Sequence, residues 1–129
     1  MKSYWDSSAL VAVVETPSLQ LRLRRDRGFT RVHTLAEVFS TMTGNPKRRV
    51  EPDRAAEIIG YLAESLDFVE LTAEEMLEAL KSARRFGIRG GQVHDFFHAV
   101  AATKSSADKI VTLDKDDFAG LTKIELEIV

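Results

Sequence analysis

The chain has 129 residues, the size of one ordinary domain and long enough for a hydrophobic core without disulfides or a structural metal. Its 44% apolar and 29% charged residues, with no apolar run long enough to cross a bilayer, are typical of a globular protein and not of a membrane protein. The net charge of -2 gives no overall attraction to nucleic acid, and the lack of cysteine excludes disulfides and zinc-thiolate sites. We therefore expect a single cytoplasmic domain over residues 1–129.

The chain begins with a predicted strand and two predicted helices. The strand over residues 2–5 ends at Asp6, and SSALVAVVE then predicts a helix for which Ser7 or Ser8 supplies the N-cap. Leucine and arginine interleave in the next segment, LQLRLRRDR. That alternation is compatible with a strand, but it also suits an amphipathic helix, which we favour.

A second strand and two further helices follow. Residues 29–33 predict the strand, and Thr34 with Glu37 fits a capping box that opens the helix LAEVFSTMT. This helix is expected to end near Gly44, and Pro52 begins the next one.

Strands and helices continue to alternate in the second half. Residues 67–71 predict a strand, and Thr72 with Glu75 forms a second capping box for a helix that runs to about Phe86. After the loop IRGG, QVHDFFHAVAATKS predicts a helix, KIVTL a strand, and IELEIV a final strand at a sheet edge. Strands separated by helices predict an α/β fold with a mostly parallel sheet covered on both faces.

Four acidic residues are candidates for one site at the edge of this sheet. Ligands of open α/β sheets bind beyond the carboxyl ends of the strands, and both Asp6 and Asp114 follow predicted strands. Asp95 lies opposite the apolar side of its helix, beside alanines, and Glu37 shares a helix face with small hydroxyl residues. We therefore expect the four carboxylates to converge where there is room for an ion and a substrate.

Each acid also has a structural explanation on its own. Glu37 fits a capping box, Asp6 a helix cap, Asp95 an exposed helix position and Asp114 a turn. Convergence would be costly, because two carboxylates about 5 Å apart repel by roughly 3 kcal/mol at an effective dielectric constant of 20. Such a group must take up protons or bind a cation, and an all-oxygen site suits Mg²⁺ or Mn²⁺. The pattern favours metal-assisted hydrolysis of phosphodiesters.

Four segments in this order and at these separations resemble the PIN-domain ribonucleases: YWDSSALVA, TLAEVFSTM, GIRGGQVHDFFHAVAA and KIVTLDKDDF. Within that family, they are most similar to the VapC-type toxins of toxin-antitoxin modules. The resemblance implies an α/β/α sandwich, a Mg²⁺ or Mn²⁺ site and endonucleolytic cleavage of RNA. It also implies a homodimer and a cognate antitoxin that inhibits the toxin by inserting a segment into the acidic pocket.

The resemblance also implies roles for individual residues. The catalytic acids would be Asp6, Glu37, Asp95 and Asp114; the metal would be bound by Asp6, Asp95, Asp114 and Asp117. Ser7 and Thr112 would line the site with hydroxyl groups. The chain departs from the family pattern where Phe96 and Phe97 follow Asp95. It also offers both Asp114 and Asp117, of which we favour Asp114 as the fourth acid and Asp117 as an accessory contact.

Other residues and functions remain as alternatives. Arg89, beside two glycines, is a candidate phosphate contact or an exposed loop charge, and the rings of His94 and His98 are expected to contact backbone or solvent. The chain could be a PIN-like module that binds RNA or protein without cutting. A haloacid-dehalogenase-like phosphatase needs a second Asp two residues after the first, where this chain has Ser8.

Overall fold

The computed structural model describes residues 1–129 as alternating strands and helices. The strands are β1 (Ser3–Trp5), β2 (Gly28–Arg31), β3 (Leu66–Val69), β4 (Lys109–Thr112) and β5 (Glu125–Ile128). The helices are α1 (Ser7–Glu15), α2 (Pro17–Asp26), α3 (Thr34–Gly44), α4 (Pro52–Ala63), α5 (Ala73–Lys81), α6 (Ala83–Phe86) and α7 (Gln92–Lys104), with a 3₁₀ helix over Lys115–Phe118. None of these helices is long and apolar enough to span a membrane.

All strand pairs of the five-stranded sheet are parallel. The strand order is β3-β2-β1-β4-β5, which places β1 in the centre and β5 at an edge. Tyr4 of β1 pairs with Phe29 of β2 on one side and with Ile110 of β4 on the other. The predicted parallel α/β sandwich is confirmed, and the chain leaves β1, β2 and β4 at the same edge.

Two hydrophobic clusters cover the two faces of this sheet. Trp5 packs with residues of α1, α3 and α4, whereas its neighbour Tyr4 packs with Ile110, Phe118 and alanines of α7. Successive strand residues point to opposite faces, so this change of partner is expected. Gly28 allows β2 to approach the indole, because a Cβ there would lie 2.6 Å from Trp5 Cδ1.

The helix starts differ from two of the predictions. The N-cap of α1 is Asp6 and not Ser7 or Ser8, because the Asp6 carboxylate accepts a hydrogen bond from the Ala9 amide. The predicted capping box of Thr34 is wrong: α3 begins after His33, which makes no side-chain cap. The second predicted box is confirmed, since Thr72 and Glu75 exchange both bonds.

The structure also revises the predicted helix ends and faces. The helix predicted to reach Phe86 is divided at Ser82 into α5 and α6, and Gly87, with φ 69°, ends the second. The alanines predicted to flank Asp95, Ala99 and Ala102, lie in the core instead. Because α7 is buried on two sides, there is less open space near Asp95 than a helix with one apolar and one exposed face would leave.

Candidate functional site

Asp6 anchors the candidate site at the end of the central strand. Its side chain is buried, and its Oδ1 accepts from the Ala9 amide at 2.9 Å and from Ser8 Oγ at 2.7 Å. Its Oδ2 accepts from Thr112 Oγ1, at the end of β4, at 2.6 Å. Three donors therefore hold one carboxylate in a fixed orientation and satisfy the buried charge.

The hydroxyl groups around Asp6 match the prediction in part. Thr112 contacts Asp6 directly, but it is Ser8, not Ser7, that donates to the carboxylate. Ser8 Oγ also accepts from the Leu113 amide at 3.1 Å, so it ties the end of β4 to the start of α1. Residue Ser8 was missed as a site residue, although its place two positions after Asp6 was visible in the sequence.

Glu37 is held by a buried histidine. Glu37 Oε1 lies 2.9 Å from His98 Nε2, and His98 Nδ1 lies 2.7 Å from the Tyr4 hydroxyl. Since an ionised carboxylate only accepts, Nε2 carries a proton and donates to Glu37. Burial raises the pKa of Tyr4 well above its usual range, so the hydroxyl keeps its proton and donates to Nδ1.

This arrangement corrects the expectation for His98, whose ring contacts two side chains and neither backbone nor solvent. It also explains the charge of Glu37. Burial raises the pKa of Glu37, but the hydrogen bond from His98 and the nearby rings of His98, His33 and His94 outweigh it, so the pKa is lowered. Glu37 is thus kept ionised without a Lys or Arg partner.

Asp95 and Asp117 share the electrostatic field of the other acids. Burial is the largest cause that raises the pKa of Asp95 to about 6, and the charge of Asp117 is the next. His98 opposes this rise, and the charges of Asp6 and Glu37 add to it. The pKa of Asp117 is also raised, by burial and by the charges of Asp114, Asp6 and Asp116. The pKa of Asp95 thus responds to the charges of three other acids, Asp6, Glu37 and Asp117.

Asp114 and Asp117 are both exposed, but only the Asp114 carboxylate has a hydrogen-bond partner. Its Oδ1 accepts from the Asp116 amide at 2.9 Å, which caps the 3₁₀ helix. That short helix packs against α7, and Asp117 is the acid of this segment whose charge raises the pKa of Asp95. Asp114 and Asp117 both stay candidates for the fourth acid. As the side chains stand, no three His, Asp or Glu residues are grouped closely enough to hold one metal ion.

An open cleft of about 470 Å³ lies beside Glu37. It is lined by Ser7, His33, Ala36, Glu37, Ser40, Thr41 and His94. Ser7 therefore lines this cleft, and its hydroxyl makes no hydrogen bond to the Asp6 carboxylate. Arg89 is exposed, with its amide bonded to Gln92 Oε1 at 2.9 Å, and its guanidinium pairs with no carboxylate. The structure does not bring Arg89 to the acids.

Comparisons with known proteins agree with this architecture. The sequence profile of the family described as "PIN domain" matches residues 3–124. The crystal structure of PAE2754 from Pyrobaculum aerophilum superposes with a TM-score of 0.69 at 20% identity, covering 97% of this chain and 87% of that one, a likeness of fold. No curated protein matches the chain in sequence. The chain belongs to the PIN domain family, whose members are generally nucleases that use divalent metal ions.

Proposed function

We propose that the protein is a metal-dependent endoribonuclease that hydrolyses RNA phosphodiester bonds. One observation carries the proposal. Asp95 is partly buried among the charges of Asp117, Asp6 and Glu37, and no Lys or Arg contacts any of the four. A purely structural carboxylate at such a position would be paired or replaced, because unpaired buried charge is destabilising. A cluster of this kind is suited to a cation from solution.

The donor set fits Mg²⁺ or Mn²⁺. Every candidate ligand is a carboxylate or hydroxyl oxygen, which these ions prefer. Asp6, Asp95 and Asp117 would hold the metal, after side-chain rotation of the more exposed acids, with Asp114 as the alternative to Asp117. When bound, the ion lowers the pKa of a coordinated water and neutralises charge on the phosphate.

The residues of this chain would orient the reaction. Ser8 and Thr112 hold both oxygens of Asp6, so the position of the first acid is set before any ligand arrives. His98 uses only Oε1 of Glu37, and Oε2 is left to orient the attacking water and accept its proton.

The test is cleavage of a single-stranded RNA with Mg²⁺ or Mn²⁺, with and without a chelator. Asp6→Asn and Asp95→Asn should each lower the rate by about 100-fold or more, since even outer contacts to a metal site contribute 10- to 100-fold. Asp116→Asn is the control, because Asp116 is an exposed acid beside Asp117 whose carboxylate makes no hydrogen bond. Equal cleavage by all four proteins would refute the proposal; tight RNA binding without cleavage would assign a non-cutting RNA module.

We further propose that the nuclease is the toxin of a toxin-antitoxin pair, in the cytoplasm and as a homodimer. This rests on the VapC-like segments and on the acidic site that an antitoxin arginine could enter. Expression of the wild-type chain should arrest growth, Asp6→Asn should relieve the arrest, and co-expression of the neighbouring gene should restore growth. Growth unaffected by an RNA-cleaving wild-type protein would assign RNA processing instead.

A further inference from the structure

The cleft beside Glu37 is lined by a pair of histidines whose rings make no hydrogen bond to the acids. His33, at the junction of β2 and α3, stacks on His94 of the first turn of α7, with ring centroids 6.0 Å apart and 14° between the planes. Both residues are exposed, and neither ring makes a hydrogen bond or an ion pair. Two rings from separate elements thus stack on each other in the lining of the cleft, and neither has a hydrogen-bond partner.

The cleft is continuous with the acidic site. Ser7 follows Asp6 in the chain, and Glu37 lines the cleft itself. Its volume of about 470 Å³ falls within the range of small-ligand pockets. A group in this cleft would therefore lie next to whatever is cut at the acids.

The lining distinguishes between the parts of a nucleotide. Phosphate is contacted by Arg and Lys, by hydroxyl side chains and by amide groups. The cleft has hydroxyls but no Lys or Arg, and the Glu37 carboxylate in its lining would repel a phosphate. Unpaired RNA bases stack on aromatic rings, histidine included, and expose edges for hydrogen bonding. Ser40 makes no side-chain hydrogen bond, and the Thr41 hydroxyl donates to Glu37 O but retains acceptor capacity.

We propose that His33 and His94, with the hydroxyls of Ser40 and Thr41, form a subsite for one unpaired nucleobase next to the phosphate that is cut. The proposal rests on the proposed RNA cleavage for its position relative to the cut. Stacking holds the base by its face, and the hydroxyls contact its edge. The substrate is accordingly single-stranded at this nucleotide.

The experiment combines base deletion with ring deletion. Single-stranded RNA with a mapped cut is made with an abasic residue at each flanking position in turn. In the wild type, one position should lose about 10-fold in kcat/KM, the scale expected for one stacked base. His33→Ala/His94→Ala should lose a similar factor on intact RNA and show no further loss on that abasic RNA. His33→Phe/His94→Phe should keep the base dependence, and Tyr61→Ala, an exposed aromatic of α4, should behave as wild type.

A binding measurement separates this subsite from the cleavage reaction. Oligonucleotides with 2-aminopurine at successive positions should lose fluorescence on binding the Asp6→Asn protein, and His33→Ala/His94→Ala in the same background should remove that quenching. If the wild type cuts no RNA, the proposed function fails and this measurement alone decides the subsite. Equal abasic penalties in the wild type and the double Ala variant, or equal quenching in both, would overturn it. Loss in the Phe variant without base dependence would assign the rings to phosphate and overturn it too.

Discussion

Carboxylates inside the candidate site and those elsewhere in the chain have opposite surroundings. Arg22 and Lys109 both contact Glu127, whose pKa falls to about 2, chiefly through the hydrogen bond from Arg22. Arg27 and Asp67 form a similar pair. Asp95 has no basic partner, and burial with neighbouring acids raises its pKa to about 6. The same chemical group is thus neutralised by basic side chains in one region and left without a basic partner in the other.

The arginine cluster of α2 belongs to the first region. Arg22 and Arg25 of this helix, and Arg27 directly after it, each pair with a carboxylate. The exposed pairs of Arg25 and Arg27 contribute little to stability, typically below about 1 kcal/mol each. None of the three arginines pairs with the four acids.

The largest expected effect is stabilisation by metal. If the acids are left for a cation, Mn²⁺ at 100 times its dissociation constant should raise the free energy of unfolding by about 2.7 kcal/mol. For a domain of this size that corresponds to a rise in Tm of about 10 °C. Asp95→Asn should remove most of the rise, and Glu127→Gln should keep it. A Tm indifferent to Mn²⁺ and Mg²⁺ in the wild type would end the comparison.

A smaller effect should separate two acids of one segment. Asp117→Asn should lower kcat/KM for RNA by about 10-fold or more, because it removes the charge that most raises the pKa of Asp95. Asp114→Asn keeps an oxygen that can accept from the Asp116 amide, so the 3₁₀ helix is retained and the loss should be only a few-fold. Single-turnover cleavage measures both; a greater loss at Asp114 restores it as the fourth acid.

The histidine that serves Glu37 offers a further test. Tyr4→Phe removes only the hydroxyl that sets the proton position on His98, and through Glu37 it should lower the rate of RNA cleavage about 10-fold. Nitrogen NMR should detect the Nε2-protonated form of His98 in the wild type and a mixture in the variant. In a Glu37→Gln background the same Tyr4→Phe change should have no effect on the rate of cleavage. Equal effects in both backgrounds would mean that Tyr4 acts through folding alone.

The smallest effects are on stability without metal, and they run in opposite directions with pH. In the folded chain Asp95 keeps its proton to about pH 6, whereas in the unfolded chain it loses it near pH 4. The resulting destabilisation is absent below about pH 4, grows as pH rises, and is complete above about pH 6. The full shift corresponds to about 3 kcal/mol, which partial exposure reduces, so Asp95→Asn should gain about 1 kcal/mol at pH 8 and nothing at pH 3.5.

Glu127 supplies the contrasting case. Its folded-state pKa is lowered to about 2, so the stability it contributes is present above its ordinary pKa and is lost as pH falls towards about 2. Glu127→Gln should therefore cost about 1 kcal/mol at pH 7 and progressively less in acid, with cleavage unchanged. Chemical denaturation across pH 3.5–8 measures both variants. Parallel pH profiles for the two would contradict the difference between the regions.

Much of the architecture was predictable because it depends on local pattern. Strand and helix alternate with clear boundaries, and parallel topology then requires Asp6 and Asp114 to leave the sheet at one edge. The capping box of Thr72 and Glu75 formed as predicted. The Lys104 ammonium also donates to Glu75, and both bonds of the box are kept.

The failures involve partners distant in the chain. Glu37 does not cap α3 because His98, 61 residues away, binds it, and Thr34 is buried against Thr30 instead. No local pattern specifies that pairing. The placement of Asp114 and Asp117 depends on a 3₁₀ turn of four residues, whose last residue, Phe118, is buried in the core. The expectation that Asp114 is the fourth acid therefore stays a prediction.

Asp6 is at once the N-cap of α1 and the first acid of the site. The helix cap and the proposed chemistry thus tolerate different side chains at this position. Asparagine preserves the cap, whereas alanine gives up about 1 kcal/mol of helix stability. In the course of evolution, a lineage that no longer needs cleavage can therefore lose it through Asp6→Asn without losing the fold. Inactive relatives of such a protein should carry Asn at this position more often than Ala, and their other site acids should be replaced by varied residues.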